Sequence, residues 1–325
     1  MGKLKSWGIY IGRGVALLFA VSALSFALAS ASPINPETRY RLSHPGVSQE
    51  NVTKMREYWG IDEPPVGRYL GWLGGLVRGE WGMSTTYRRP VLDVIGERFS
   101  ASFALMATAW VLSGLTGFAM GCVMAAARDR WPDRILRRIC LFLCSVPTFW
   151  IGLVLLAVFS ANLGWFPFGL AVPPGVRAES VTLAQRIHHL ALPALTLSCL
   201  SFANLALHVR EKLVDVYQSD YVLYARARGE CGAQILFGHG IRNALVPAII
   251  MQFGSVSELF GGSVFAESVF SYPGLGSALA KAGMDASDIP LFLGIVMISA
   301  VFIFAGNLTA NILTQVIDPR TKGVG

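Results

Sequence analysis

The distribution of charge along the chain decides what it can fold into. Five windows contain no Asp, Glu, Lys or Arg: 14–36, 99–127, 139–176, 187–209 and 289–317. A sixth window, 243–270, is interrupted only by Glu258 and Glu267. A helix crossing the hydrocarbon core takes roughly 20 mostly apolar residues, so each window is long enough for a span. Soluble domains carry about 25% charged residues, spread along the chain. Here the figure is 14%, with 53% hydrophobic residues. A buried soluble bundle accommodates one or two such windows, not six. The expected fold is an all-α integral membrane protein with about six transmembrane helices, near 10–31, 102–126, 139–161, 190–209, 245–266 and 291–317.

The first window admits a rival reading. Lys3, Lys5 and Arg13 precede it, and Ala29-Ser30-Ala31 resembles a signal-peptidase site. A cleaved leader has an apolar core of about 7–15 residues; this run is longer, so it reads as a retained first helix. Orientation follows from Lys and Arg in the short loops, which concentrate on the cytoplasmic side. Segments 1–13, 127–138, 210–244 and 318–325 together hold 15, whereas 162–189 and 267–290 hold three. Both termini are therefore expected in the cytoplasm. The net charge of +7 comes largely from this asymmetry and from the outer loop, and no nucleic-acid partner is expected.

The expected domains are 1–31, the N-terminus and first helix; 32–101, an extracytoplasmic loop domain; and 102–325, a five-helix core with a cytoplasmic loop at 210–244. Segment 32–101 is too long for a simple connection. Within it Val66, Tyr69, Leu70, Leu73, Leu76 and Val77 follow helical spacing after Pro64-Pro65, predicting an amphipathic helix on the membrane surface or against other helices. A shorter helix over 48–59, ended by Gly60, precedes it. This cap either covers the spans or receives something delivered from outside.

Four of the five cysteines, Cys122, Cys140, Cys144 and Cys199, fall in spans, and Cys231 falls in an inner loop. Buried cysteine more often acts as a small hydrophobe than as a ligand. His188 and His189 point about 100° apart on a helix and make a poor metal pair. No tight catalytic constellation at one depth is evident, and no inverted repeat of paired broken helices marks a secondary transporter.

The loop between the fourth and fifth spans is the informative one. It reads Ser219-Asp220-Tyr221-Val222-Leu223-Tyr224-Ala225-Arg226-Ala227-Arg228-Gly229, and later Arg242-Asn243-Ala244-Leu245-Val246-Pro247. Ser219 or Asp220 can cap a helix, and Gly229 can end it in a left-handed turn. Ala225 and Ala227 would let another protein approach, while Arg226 and Arg228 could meet acidic groups.

The order of these residues resembles the cytoplasmic loop of bacterial ABC-importer permeases, most closely the dipeptide, oligopeptide and nickel branch and its first, B-type subunit. Further blocks agree: Gly79-Glu80-Trp81-Gly82-Met83-Ser84, Arg89-Pro90-Val91, Ala127-Arg128-Asp129-Arg130-Trp131-Pro132-Asp133, Ser145-Val146-Pro147-Thr148-Phe149-Trp150, Glu267-Ser268-Val269-Phe270-Ser271-Tyr272-Pro273-Gly274-Leu275-Gly276 and Asp318-Pro319-Arg320. They cover nearly the whole chain in the family's order. Leu223 and Tyr224 depart from the Glu-Ala of the broad consensus, which bears on the subfamily more than on docking.

The resemblance implies an inner-membrane transporter subunit that is not itself an enzyme. Its implied partners are a second homologous permease, giving a heterodimer, two cytoplasmic ATPases, an extracytoplasmic solute-binding protein and the lipid bilayer. No cofactor is expected on this chain, since ATP and Mg would be used by the ATPases. Its Gly2-Lys3 pair, followed by Leu4, lacks phosphate-loop spacing. The implied ATPase-docking helix comprises Asp220, Tyr221, Ala225, Arg226, Ala227, Arg228 and Gly229.

Ionisable groups in spans tend to face a pathway or a partner. Glu258, about three turns into the fifth span, is the leading candidate for a pathway group; Gln252, Asn204, His208, Asn307 and Asn311 are weaker ones. The competing reading for the amides is interhelical hydrogen bonding. An acidic group favours a cationic or metal-bearing solute, and Ser257-Glu258-Leu259-Phe260-Gly261-Gly262 looks more like nickel-type permeases. Nickel or a nickel chelate is thus the first expectation, with dipeptide or oligopeptide import as the alternative. The ligand density of a dedicated metal cage is missing.

Overall fold

The computed structural model describes residues 2–31, 37–38, 41, 46–59, 63–176, 180–285 and 288–317. The expected end of the short outer helix at Gly60 and the Asp318-Pro319-Arg320 block lie outside them. Among the described residues the chain is helical, with one isolated bridge between Met83 and Pro90. In chain order the helices are α1 Gly2–Ser30, α2 Gln49–Trp59, α3 Pro65–Arg78, α4 Val91–Ala126, α5 Trp131–Ser145, α6 Thr148–Leu155, α7 Leu183–Tyr217, α8 Asp220–Ala227, α9 Gly232–Ile235, α10 Ile241–Gly254, α11 Val256–Val269, α12 Leu275–Asp285 and α13 Ile289–Ile317. Wide π-helical turns extend α6 over Leu156–Asn162 and join α9 to α10 over Leu236–Gly240.

Among the described residues four helices are each long and apolar enough to cross a membrane, and the number reaches six if each of two bent pairs counts as one span. Those two pairs correct the straight-helix picture. The expected third span divides at Val146-Pro147, where Trp131–Ser145 and Thr148–Asn162 meet at 111°. Proline disfavours the helical conformation of the residue before it, and Val146 is accordingly extended, at φ −96° and ψ 133°. The expected fifth span bends by 50° between Gly232–Gly254 and Val256–Val269. Glu258 therefore sits in the first turn of α11, beside a break, rather than three turns into a continuous helix. The second and fourth spans are longer than their charge-free windows, because α4 and α7 run on into charged ends.

The chain forms two compact units. The first comprises Met1–Ala101 with Gly274–Phe304. Its core joins Val91, Val94 and Ile95 of α4 to Leu275, Ala278 and Ala282 of α12 and to Leu291 and Ile295 of α13. Gly294 permits this approach, since a Cβ there would lie 2.8 Å from Val91 Cγ1. Asp288, fully buried just before α13, accepts from Ser84 Oγ at 2.5 Å, Thr86 N at 3.0 Å and Leu291 N at 3.3 Å. One carboxylate thus caps a helix and holds the 84–90 turn.

In the same unit the predicted amphipathic helix α3 starts with Pro65 in its first turn and ends at Gly79, φ +85°. It packs on α1: Tyr69 meets Phe19 and Phe26 edge-on, and its hydroxyl shares a 2.8 Å hydrogen bond with Ser22. Arg68 lies 5.3 Å over the Phe26 ring and donates to Ser30 Oγ at 2.6 Å. Val66, Leu70 and Val77 stay exposed.

The second unit comprises Ser102–Pro273 with Ala305–Gly325. Here α4 presses closely on α7, because a Cβ at Gly117 or Gly121 would lie 2.8 Å from the Phe202 carbonyl or 2.7 Å from Val209 Cβ. Small residues spaced by four let membrane helices approach in this way. Met124, Cys140, Ala203 and Ala206 bury α5 in the same contact, and Ala125, Leu205, Val209, Leu213, Ala244 and Ala248 bury α10. All five cysteines are free thiols.

Candidate functional site

The short helix α8 begins after Ser219, whose backbone is extended at φ −75° and ψ 151°. It ends in a double closure. Gly229 N donates to Arg226 O at 2.9 Å, and Glu230 N to Ala225 O at 3.2 Å. This 5→2 and 6→1 pairing needs a left-handed residue, and Gly229 sits at φ +89°. The helix thus occupies Asp220–Ala227 of the expected 220–229 stretch, with Gly229 just past its end.

One face of α8 is fixed to the rest of the unit. Val222, fully buried, packs with Val216, Ile235 and Tyr217, and Ala225 is buried on the same face. Ala225 is therefore not available to a partner, a correction to its expected role. Spacing explains it, because residues three apart share a helix face. The outer face carries Asp220, Tyr221, Leu223, Tyr224, Arg226, Ala227 and Arg228, all exposed. Leu223 and Tyr224 are 67% and 66% exposed, a large apolar presentation for so short a helix. These two are the positions where the sequence departs from the broad consensus, so their part in an outward surface was not legible there. Behind α8, His239 contacts Glu230 at 3.2 Å and Asn243 Nδ2 donates to His239 O at 2.7 Å, closing the return loop.

Above this loop in the same unit lies an open cleft of about 350 Å³. Asn204 and His208 of α7, Gln252 of α10 and Glu258 of α11 all line it. The structure thus brings the four tentative pathway residues to one cavity, and adds Ser201, Glu211 and Ser255, which sequence reasoning missed. The helix break explains the gathering. Gly254 and Ser255 line the cleft at the bend, and the first turn of α11 places Glu258 beside them. A carboxylate in the first turn also faces the positive end of the helix dipole.

The amides do not all hang free in this cleft. Gln252 is buried; its Nε2 donates to Trp110 O at 2.6 Å and to Ser113 Oγ at 3.0 Å, while Trp110 Nε1 donates to Gln252 O at 2.8 Å. That pairing locks α4 to α10. Asn204 accepts from Cys144 Sγ at 3.1 Å and Asn307 from Ser257 Oγ at 2.8 Å, whereas Asn311 is exposed. His188 Nε2 and His189 Nδ1 bond the carbonyls of Trp165 and Gly169 at 2.8 and 2.9 Å, so both rings brace a loop. Among the described residues no group of three or more His, Cys, Asp or Glu could hold a metal ion.

A family model described as "Binding-protein-dependent transport system inner membrane component" matches residues 117–323. The oligopeptide transport system permease protein AppB of Bacillus subtilis (strain 168) is 34% identical over 311 residues, 95% of this chain and 96% of that protein. The glutathione transport system permease protein GsiC of Escherichia coli (strain K12) is 32% identical over 305 residues, 94% of each. Among solved structures, the MetNI methionine ABC transporter, in an inward-facing conformation, superimposes with a TM-score of 0.57 at 12% identity, over 70% of this chain and 98% of that one. That last likeness shows the fold alone. The chain belongs to the binding-protein-dependent transport permeases, as an ABC-importer permease of the peptide and nickel type. It is a multi-pass protein of the bacterial inner membrane, works with ATPase and binding-protein partners, and is not itself an enzyme.

Proposed function

We propose that this subunit passes short peptides from an extracytoplasmic binding protein to the cytoplasm, as one half of a pathway completed by a second, homologous permease. The observation that carries the peptide reading is identity over nearly the full length with permeases named for oligopeptides and for glutathione. The nickel expectation, drawn from the run around Glu258, gains nothing from these relatives. The cleft lined by Asn204, His208, Gln252 and Glu258 is the proposed contribution to the pathway, and the exposed face of α8 the proposed seat on an ATPase. ATP and Mg stay on that partner, with no cofactor on this chain. Driven by ATPase closure, α8 moves as a rigid lever and tilts the spans that it is packed on.

Two measurements test this. In a strain lacking the native system, uptake of a tagged dipeptide should depend on this gene while nickel uptake should not. Nickel uptake without dipeptide uptake would reverse the choice of solute. In the reconstituted complex, Gly229→Asp or charge reversal at Arg226 should abolish solute-stimulated ATP turnover with membrane insertion intact. Wild-type turnover in the Gly229→Asp complex removes the docking role of α8.

A further inference from the structure

The end of α7 that leads into α8 is tied at two points to the corner between α4 and α5: to Asp133 in the first turn of α5 and to Arg128 in the preceding loop. Asp133, 2% exposed at its side chain, receives Arg210 Nε and Nη2, each at 2.6 Å, in a two-pronged ion pair. The same carboxylate accepts from Asp129 N at 2.9 Å, holding Asp129 at φ +61°. Eight residues on, at the C-cap of α7, the Gln218 side chain faces the Arg128 guanidinium, and with the amide turned so that its oxygen accepts, Arg128 Nη1 and Nη2 donate at 2.8 and 3.0 Å. The two ties are about 12 Å apart at 1.5 Å per residue, one buried and one at the surface. Two residues after Gln218, α8 begins, and its inward face packs on Val216 and Tyr217.

We infer that the Asp133–Arg210 pair is a transmission clamp: it makes α4, α5 and α7 move as one body when α8 is displaced. The positions make the case. Added to the close packing of α4 on α7, two ties along one helix resist rotation about either. The buried tie is the stiffer, since a planar guanidinium held by both nitrogens fixes angle as well as distance. Arg210 also lies two residues beyond His208 and six beyond Asn204, so a shift at the clamp reaches the cleft along one rigid helix. Arg210 and Asp133 act here as positioning residues and need not touch solute. The inference rests on α8 being the docking helix.

The test is the number of dipeptide molecules moved per ATP hydrolysed, in the full transporter reconstituted with its binding protein. A role confined to stability lowers the yield of assembled complex but leaves this ratio alone in what assembles. Asp133→Asn and Arg210→Met are expected to lower the ratio at least tenfold while hydrolysis continues. Arg210→Lys, which keeps the charge but loses the fork, should fall between. If the buried variants do not assemble, Arg128→Ala, at the exposed tie, is expected to lower the ratio at least twofold. A wild-type ratio in whichever of these complexes assembles overturns the clamp. Failure of the docking assignment is read separately, as normal solute-stimulated turnover in Gly229→Asp.

Discussion

Replacing Gly229 separates two reasons for a glycine at the end of α8. Its φ of +89° is a conformation that costs most residues roughly 1–2 kcal/mol. A Cβ added there meets nothing within 4 Å, so no clash is superimposed on the backbone cost. Gly229→Ala therefore weakens the double closure by about 1–2 kcal/mol, a factor of about 5–30 in the population of the closed end. Asn visits this region more readily, so Gly229→Asn should cost less, and a β-branched Val more. Solute-stimulated ATP hydrolysis in proteoliposomes should then fall in the order Gly, Asn, Ala, Val. Asp tolerates the backbone much as Asn does, so any deficit of Gly229→Asp below Gly229→Asn measures the added charge at the docking face. Equal turnover for Gly, Asn, Ala and Val would refute the argument that the left-handed closure shapes the docking surface.

Other perturbations probe the scaffold. Gly121→Val places side-chain atoms where Val209 Cβ already lies; overpacking of this kind costs about 1–3 kcal/mol, read as a lower midpoint of thermal unfolding in detergent. Asp288→Ala strips the buried Ser84 Oγ and Leu291 N–H of their acceptor, at about 1–3 kcal/mol for each buried group left unsatisfied. Protease cleavage within 84–90 should accelerate, and unchanged cleavage would count against the tether. Tyr69→Phe keeps the ring contacts and removes the bond to Ser22, so about 1 kcal/mol is expected, seen as earlier detachment of α3 in hydrogen exchange.

How much was legible follows from the range over which each feature is decided. Membrane burial is a local property, because each span must satisfy its own backbone in the absence of water; charge-free windows therefore revealed the class of fold before any contact was known. The short helix α8 was legible for the same reason, since its end at the left-handed Gly229 is decided within a few residues. Tertiary packing decided what lay beyond that range. The third span was read as one helix, and its 111° turn at Val146-Pro147 depends on what α5 and α6 lean against. Ala225 looked available as a small residue, and the packing of Val222, on the same face, against Val216 and Ile235 turned it inward. Asp133 and Arg210 are 77 positions apart and read separately as ordinary loop and helix-end charges. Their pairing exists because the small residues of α4 and α7 let those helices close, which puts two opposite charges in a place too dry for either alone. The windows fixed that this chain lives in a membrane; the closeness of its helices set what each of its few charges does there.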